Sequence, residues 1–295
     1  MSLRINNNIA AMNAYRNLST TDKTMSSSLE KLSSGLRINK AADDASGLSI
    51  SQGLQSQIGG LQVAVRNAQD GVNVVQTADG ALGESEAILQ RMHDLSVQAA
   101  NGGSQDASAQ GAADTEFQQL NKELDRISQT TKFGSQQILS GSWTGTFQVD
   151  SSTSTGSTIG VDLSSTGALN GLTNTGGGAG TVAITGFDST GLQTSTLSLA
   201  TTAGATAAMK QLDTSIQNVS TVRATLGAYQ NRFDHTINNL NVAITNLTAS
   251  KSAITDTDMA QEMTNFTKAQ ILQQAGTSML AQANQAPQGV LKLLG

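Results

Sequence analysis

Apolar residues recur at spacings of three and four through the first 130 residues of this chain and again from about residue 210 onward. The stretch between lacks that rhythm. In the first zone Leu18, Met25, Leu29, Leu32 and Leu36 step along one helical face. Asn39–Gly47 interrupts it, with Asp43, Asp44 and Ser46 as turn or cap residues and Gly47 as a permissive one. The stripe resumes at Ile50, Leu54, Ile58, Leu61, Val65, Ala68, Val72 and Val75 and, after a small slip, runs on through Ile88, Met92, Leu95 and Ala99. Ala99–Ser104 reads as a C-cap and turn. A further helix carries Ala113, Phe117, Leu120, Leu124 and Ile127.

From about Thr130 to Ala208, Gly, Ser and Thr dominate and charge nearly vanishes. Short β-like pieces stand at Thr146–Val149, Thr158–Leu163, Thr181–Thr185 and Thr194–Leu199, which predicts a β-hairpin over Gly145–Leu163 and a small β-rich excursion after it. The longest stripe follows: Leu212, Ile216, Val219, Leu226, Phe233, Ile237, Leu240, Ile244 and Leu247, with Arg223 and Gln230 at two seam positions. A polar residue in such a seam fixes register at some cost in stability. A helix over 210–250 needs helical neighbours, which Ile50–Ala99 and Ala113–Ile127 can supply. A second break near Ser252–Asp258 precedes Met259, Met263, Phe266, Ile271, Leu272, Met279 and Leu280, then Val290, Leu291, Leu293 and Leu294.

Composition narrows the picture. Hydrophobic residues make up 37% of the 295 but aromatics only 3%, which suits long, thin helix packing rather than a thick globular core. A net charge of -5 argues against a nucleic-acid footprint. With no Cys there is no disulfide or thiolate chemistry, and His93 and His235 have no paired ligand for zinc. No HExxH occurs. Asp43 and Asp44, adjacent in a turn, read as caps rather than a catalytic pair. Gly176–Gly180 lacks the Lys-Ser/Thr and the helix that a phosphate loop needs. Neither a signal-peptide core nor a bilayer-length apolar run is present. The chain is therefore expected not to be an enzyme and to have no cofactor. Its terminal segments, before Asn39 and after Asp258, are matched amphipathic helices whose pairing hides only part of their apolar surface. On periodicity alone, a plain four-helix bundle with a loop insertion fits as well as a polymerising chain.

Three segments shift that balance. SSGLRINKAADDASGL (Ser33–Leu48), LGAYQNRFDHTINNL (Leu226–Leu240) and AQILQQAGTSMLAQANQ (Ala269–Gln285) closely resemble the ends of bacterial flagellin, and the closing QAPQGVLKLLG looks like its terminus, with Lys292 and Gly295 departing mildly. The likeness covers residues 1–140 and 208–295. It implies a mainly α fold: long antiparallel coiled-coil helices from both chain ends, in inner-tube and outer-tube layers, with a small β-hairpin or β-rich insertion in the middle. Residues 1–43 plus 254–295 would form the terminal coiled-coil inner domain, 44–165 plus 205–253 a helical rod with the β-hairpin, and 166–204 a short variable surface insert. The implied function is a structural subunit that polymerises into the flagellar filament for swimming motility. The alternatives are a hook–filament junction protein and a ligand-binding surface flagellin. Leu18, Met25, Leu29, Leu32, Leu36, Met263, Phe266, Leu272, Met279 and Leu280 are the expected coiled-coil and polymerisation residues. The implied partners are further copies in a helical homopolymer, an export chaperone, the filament cap and hook-junction proteins. The implied location is extracellular, reached by the flagellar type III route without a cleaved signal peptide. Gln90, Arg91, Leu95 and Glu116 match positions by which flagellins engage the vertebrate Toll-like flagellin receptor, with His93 and Asp94 in place of a common Arg-Glu pair.

Overall fold

The computed structural model describes residues 8–103, 106–154, 156–164, 173–174, 182–183 and 185–294, with the backbone alone at 173–174, 182–183 and 286–294. The Gly176–Gly180 run, Thr181, Ile184 and residues 166–172 of the insert lie outside the described residues, as do the side chains of Val290, Leu291, Leu293 and Leu294. The described residues form five helices: α1 (Ile9–Ser34), α2 (Ala45–Ala100), α3 (Ala107–Thr130), α4 (Thr202–Thr255) and α5 (Met259–Leu294). Among the described residues three antiparallel strand pairs lie between α3 and α4: β1 (Lys132–Phe133) with β2 (Gln136–Gln137), β3 (Thr144–Gln148) with β4 (Thr158–Asp162), and β5 (Thr173–Asn174) with β6 (Val182–Ala183). The fold is mainly α. Its described residues fall into two compact units, 59–244 and the combination of 1–58 with 245–295, so α2 and α4 each contribute to both.

In the 59–244 unit, α2 buries Ala64, Ala68, Gly71, Val75, Ala78, Leu82, Ser85, Leu89, Met92, Ser96 and Ala99, an unbroken alternation of four and three. The slip expected between Val75 and Ile88 is absent. The row passes through Ala78 and Ser85, small residues that a search for large apolar groups skips. Ser85 and Ser96 can be buried because each hydroxyl donates to the carbonyl one turn back, Ala81 and Met92. Across the core α4 buries Ala205, Ala208, Leu212, Ser215, Val219, Val222, Leu226 and Phe233. Val222 takes the seam position expected of Arg223. Arg223 lies at the edge, donating from Nε to Asp79 at 2.9 Å and from Nη1 to Glu86 at 2.6 Å. Small residues let the helices approach closely: a Cβ on Gly71 would stand 2.6 Å from the Phe233 ring, which also meets Phe147 of β3 edge-on at 5.5 Å.

The β3–β4 hairpin forms where the alternation predicts it, with Phe147 opposite Ile159, and α2 holds it through Asn67 Nδ2 donating to Gln148 O. Thr194–Leu199, expected as a strand, is not one. The described part of the insert packs instead of standing out: Phe187, Leu192 and Leu199 are buried in the core. A polar row on α3 holds its backbone. Asp114 accepts from Leu199 N and Ser198 Oγ, Gln118 donates to Leu197 O, Asn121 donates to Thr194 O, and Asp125 accepts from Ser189 N. Helical spacing, not strand pairing, sets this segment's shape.

Candidate functional site: the paired chain ends

In the terminal unit, α1 and α5 lie antiparallel. Asn8 Nδ2 donates to Ala283 O at 2.7 Å, Gln273 Nε2 donates to Asp22 Oδ1 at 2.9 Å, and a Cβ on Gly276 would touch Leu18 Cδ1 at 3.3 Å. Two helices share only one seam, and little of it is large: among the described residues the fully buried positions are Ser28 on α1 and Ala269 on α5. Leu18, Met25, Leu32 and Leu36 are half-buried, as are Phe266 and Leu280. The remaining expected residues face outward: Leu29 is 57% exposed, Met263 50% and Met279 63%, and Leu272 is exposed with them. Ile9, Met12, Tyr15, Met259 and Ile271, none of which is among the ten expected polymerisation residues, extend the same exposure. Met263, Thr267, Ile271 and Leu272 line a shallow groove of about 500 Å³ on α5.

The two breaks make a short β-like link. Leu36 and Asp256 form an antiparallel bridge, Arg37 N donates to Thr255 O at 2.6 Å, and Thr257 N donates to Gly35 O at 3.0 Å. Gly35 ends α1 in the left-handed conformation at φ 72°, which frees the chain to turn. Asp43 and Asp44 share no site. Asp43 Oδ2 accepts from Asn39 N and Lys40 N, while Asp44 Oδ1 caps α2 by accepting from Gly47 N. The Lys40 and Asn39 amides hold the Asp43 carboxyl below the usual carboxylate range, and the Ser252 and Thr255 hydroxyls do the same for Asp256. Gly47 leaves room for its neighbours: a Cβ would fall 2.5 Å from Asp44 Oδ2 and 2.7 Å from Ile38 Cδ1, so the capping carboxylate and the Ile38 side chain would have to shift.

Of the four residues matching receptor positions, Leu95 is 3% exposed and belongs to the core. Gln90 is exposed, and Arg91 grips Glu116 Oε1 through Nε and Nη2 at 2.9 and 2.7 Å. Among the described residues no group of three or more His, Cys, Asp or Glu could hold a metal, and His93 lies beside Asp213 at 3.2 Å. No helix among them is long and apolar enough to cross a membrane.

The arrangement, an outward apolar face built from both chain ends, coincides with the regions that define a family. The bacterial flagellin N-terminal helical region matches residues 5–144, and the bacterial flagellin C-terminal helical region matches residues 209–294. The chain belongs to the bacterial flagellins. Over 99% of its length it is 43% identical to a flagellin of Bacillus subtilis, all of which is covered. It is likewise 43% identical, over 98% of its length, to a flagellin of Halalkalibacterium halodurans, covering 99% of that protein. The crystal structure of Bacillus cereus flagellin matches with 32% identity and a TM-score of 0.47, covering 59% of this chain and 88% of that one. The subunit is thus a structural component of the flagellar filament, an extracellular homopolymer that serves motility.

Proposed function

We propose that the subunit polymerises by burying the outward faces of α1 and α5 between copies, so that its work is assembly and not catalysis. The observation that carries this is the exposure of Leu29, Met263, Leu272 and Met279 on helices whose shared seam is filled by Ser28 and Ala269. Fully burying one Leu or Met side chain is worth about 1.5–3 kcal/mol. A patch of this extent therefore favours association strongly once a second copy covers it. Leu18, Met25, Leu32, Leu36, Phe266 and Leu280 hold the pair together from within. On this reading residues 1–43 with 254–295 line the inner layer, 44–165 with 205–253 form the surrounding rod, and 166–204 lies on the outward side of the filament.

The same exposure supports the remaining partners. A chaperone that covers the α5 face would keep subunits apart before export, which would proceed by the flagellar type III route without a cleaved signal. Cap and hook-junction proteins would meet the same helical ends at the two filament boundaries. For the Toll-like receptor, Gln90, Arg91 and Glu116 offer a surface, whereas Leu95 would act only by supporting α2 from beneath.

Electron microscopy of the purified chain after seeding or salting-out tests the central claim, with long regular filaments as the expected result. Met263→Asp combined with Met279→Asp, both at exposed positions, should abolish filaments while leaving the monomer's helical circular dichroism unchanged. Normal filaments from that variant would rule out the α5 face as the contact.

A further inference from the structure

Pro287 is the only proline in the chain, and it lies inside α5. A proline has no backbone N–H, so it cannot supply the bond that each helical residue normally gives to the carbonyl four positions earlier. That carbonyl belongs to Ala283, and Ala283 O is where the Asn8 carboxamide donates, at 2.7 Å. The other end of the same carboxamide is also used: Asn8 Oδ1 accepts from Ala11 N at 3.0 Å and caps α1. We propose that Asn8 is the positioning residue for the open end of the terminal helix pair, locking there the overlap of α1 and α5 by joining the start of α1 to the one α5 carbonyl that a proline has vacated.

This rests on the reading that α1 and α5 together make the assembly face, and it supplies what the seam lacks. A seam of half-buried apolar residues repeating at three and four is nearly indifferent to a slide of seven residues. Ser28, Ala269 and Gly276 are small and offer few features that would resist one. The Leu36–Asp256 bridge and the Gln273–Asp22 bond resist it toward the linked end and the middle of the pair, and Asn8 holds the open end. A single proline gives α5 one marked carbonyl. Asn8 can read it because a carboxamide accepts at one atom and donates from another, whereas Asp only accepts when ionised and a Ser or Thr hydroxyl is a single, shorter group. Copies that must fit a common lattice need the same overlap in every subunit.

The test is a cycle on the full chain. Asn8→Ser keeps the cap and loses the reach to Ala283, and Pro287→Ala returns the missing N–H to α5. With Pro287 in place, N8S should raise the critical concentration for seeded filament elongation about tenfold, the scale of one hydrogen bond whose half-buried partner is left unpaired. In the chain that already carries Pro287→Ala, N8S should change it less than twofold. A rise of equal size in both chains would reduce Asn8 to a simple cap, and no rise in either would remove it from assembly; each overturns the proposal.

A second measurement reads the overlap directly and does not depend on elongation. The chain has no Cys, and a Cβ on Gly276 would lie 3.8 Å from Leu18 Cβ, a disulfide distance. In soluble chains ordered with sulfate, the Leu18→Cys/Gly276→Cys pair should oxidise several-fold faster than the seven-residue-shifted Leu18→Cys/Ala269→Cys pair, and N8S should reduce that preference. A preference unaltered by N8S, or absent from the start, overturns the proposal. Failure of the unmodified chain to elongate would instead sink the assembly reading while leaving this comparison valid.

Discussion

At the scale of single residues, the fold depends on what is missing from side chains as much as on what they contribute. Gly71 gives the Phe233 ring room, and that ring is buried and wedged edge-on against Phe147, so it cannot retreat. Gly71→Ala should cost about 1–3 kcal/mol through overpacking. For a unit of this size that lowers the thermal midpoint by about 2–4 °C per kcal/mol. Gly80 sits on the same helix with nothing near its absent Cβ. There Gly80→Ala should stabilise by up to about 1 kcal/mol, because alanine is the better helix former. Two calorimetric scans check the pair, and a fall in both would mean that the α2 seam is not the determinant. The helical register puts Gly71 in the buried row and Gly80 off it, but only the facing Phe233 ring shows that a methyl group cannot be accommodated at Gly71. Ser85 and Ser96 were hidden for the related reason that a hydroxyl satisfied by its own helix behaves as a small core residue.

At the scale of elements, the helices and the β3–β4 hairpin were legible because each carries its own period. The segment around Thr194–Leu199 was not. Its alternation resembles a strand, but its backbone is held by Asp114, Gln118, Asn121 and Asp125, whose purpose appears only when α3 and that segment are brought together. Arg223 was placed one position wrong because its ion pairs with Asp79 and Glu86 leave the seam itself to Val222. The link between the breaks carries a pH prediction. Asp43 and Asp256 both have depressed carboxyl pKa values, so their contribution to the link is complete above the unfolded value, about 3.9. It is lost as pH falls through the lower folded values. Titrating the Asn39 and Lys40 amide resonances should show a transition centred below about pH 3.9 that Asp43→Asn abolishes. A midpoint at or above the ordinary carboxylate value would mean that those two hydrogen bonds do not form in solution.

For the whole molecule, the division into two units predicts unequal resistance to protease. The 59–244 unit holds the large buried core, whereas the terminal unit leaves much of its apolar surface uncovered. Limited digestion of the monomer should trim roughly the first and last forty residues and spare the rest, since locally unfolding segments with few buried contacts are cut first. In filaments the same sites should resist. Equal protection in both states would show that the ends are self-sufficient. The pairing of α1 with α5 has one more consequence, which concerns order in time. Asn8 and Ala283 are 275 positions apart, and a ribosome makes the first long before the second. Throughout that interval α1 is a half-solution, amphipathic and without its intrachain mate, and no local contact can substitute. Closing so long a loop is a slow, entropically costly step, so the earliest helix synthesised is among the last to be satisfied. A chain wired this way stays open at its beginning until its far end arrives.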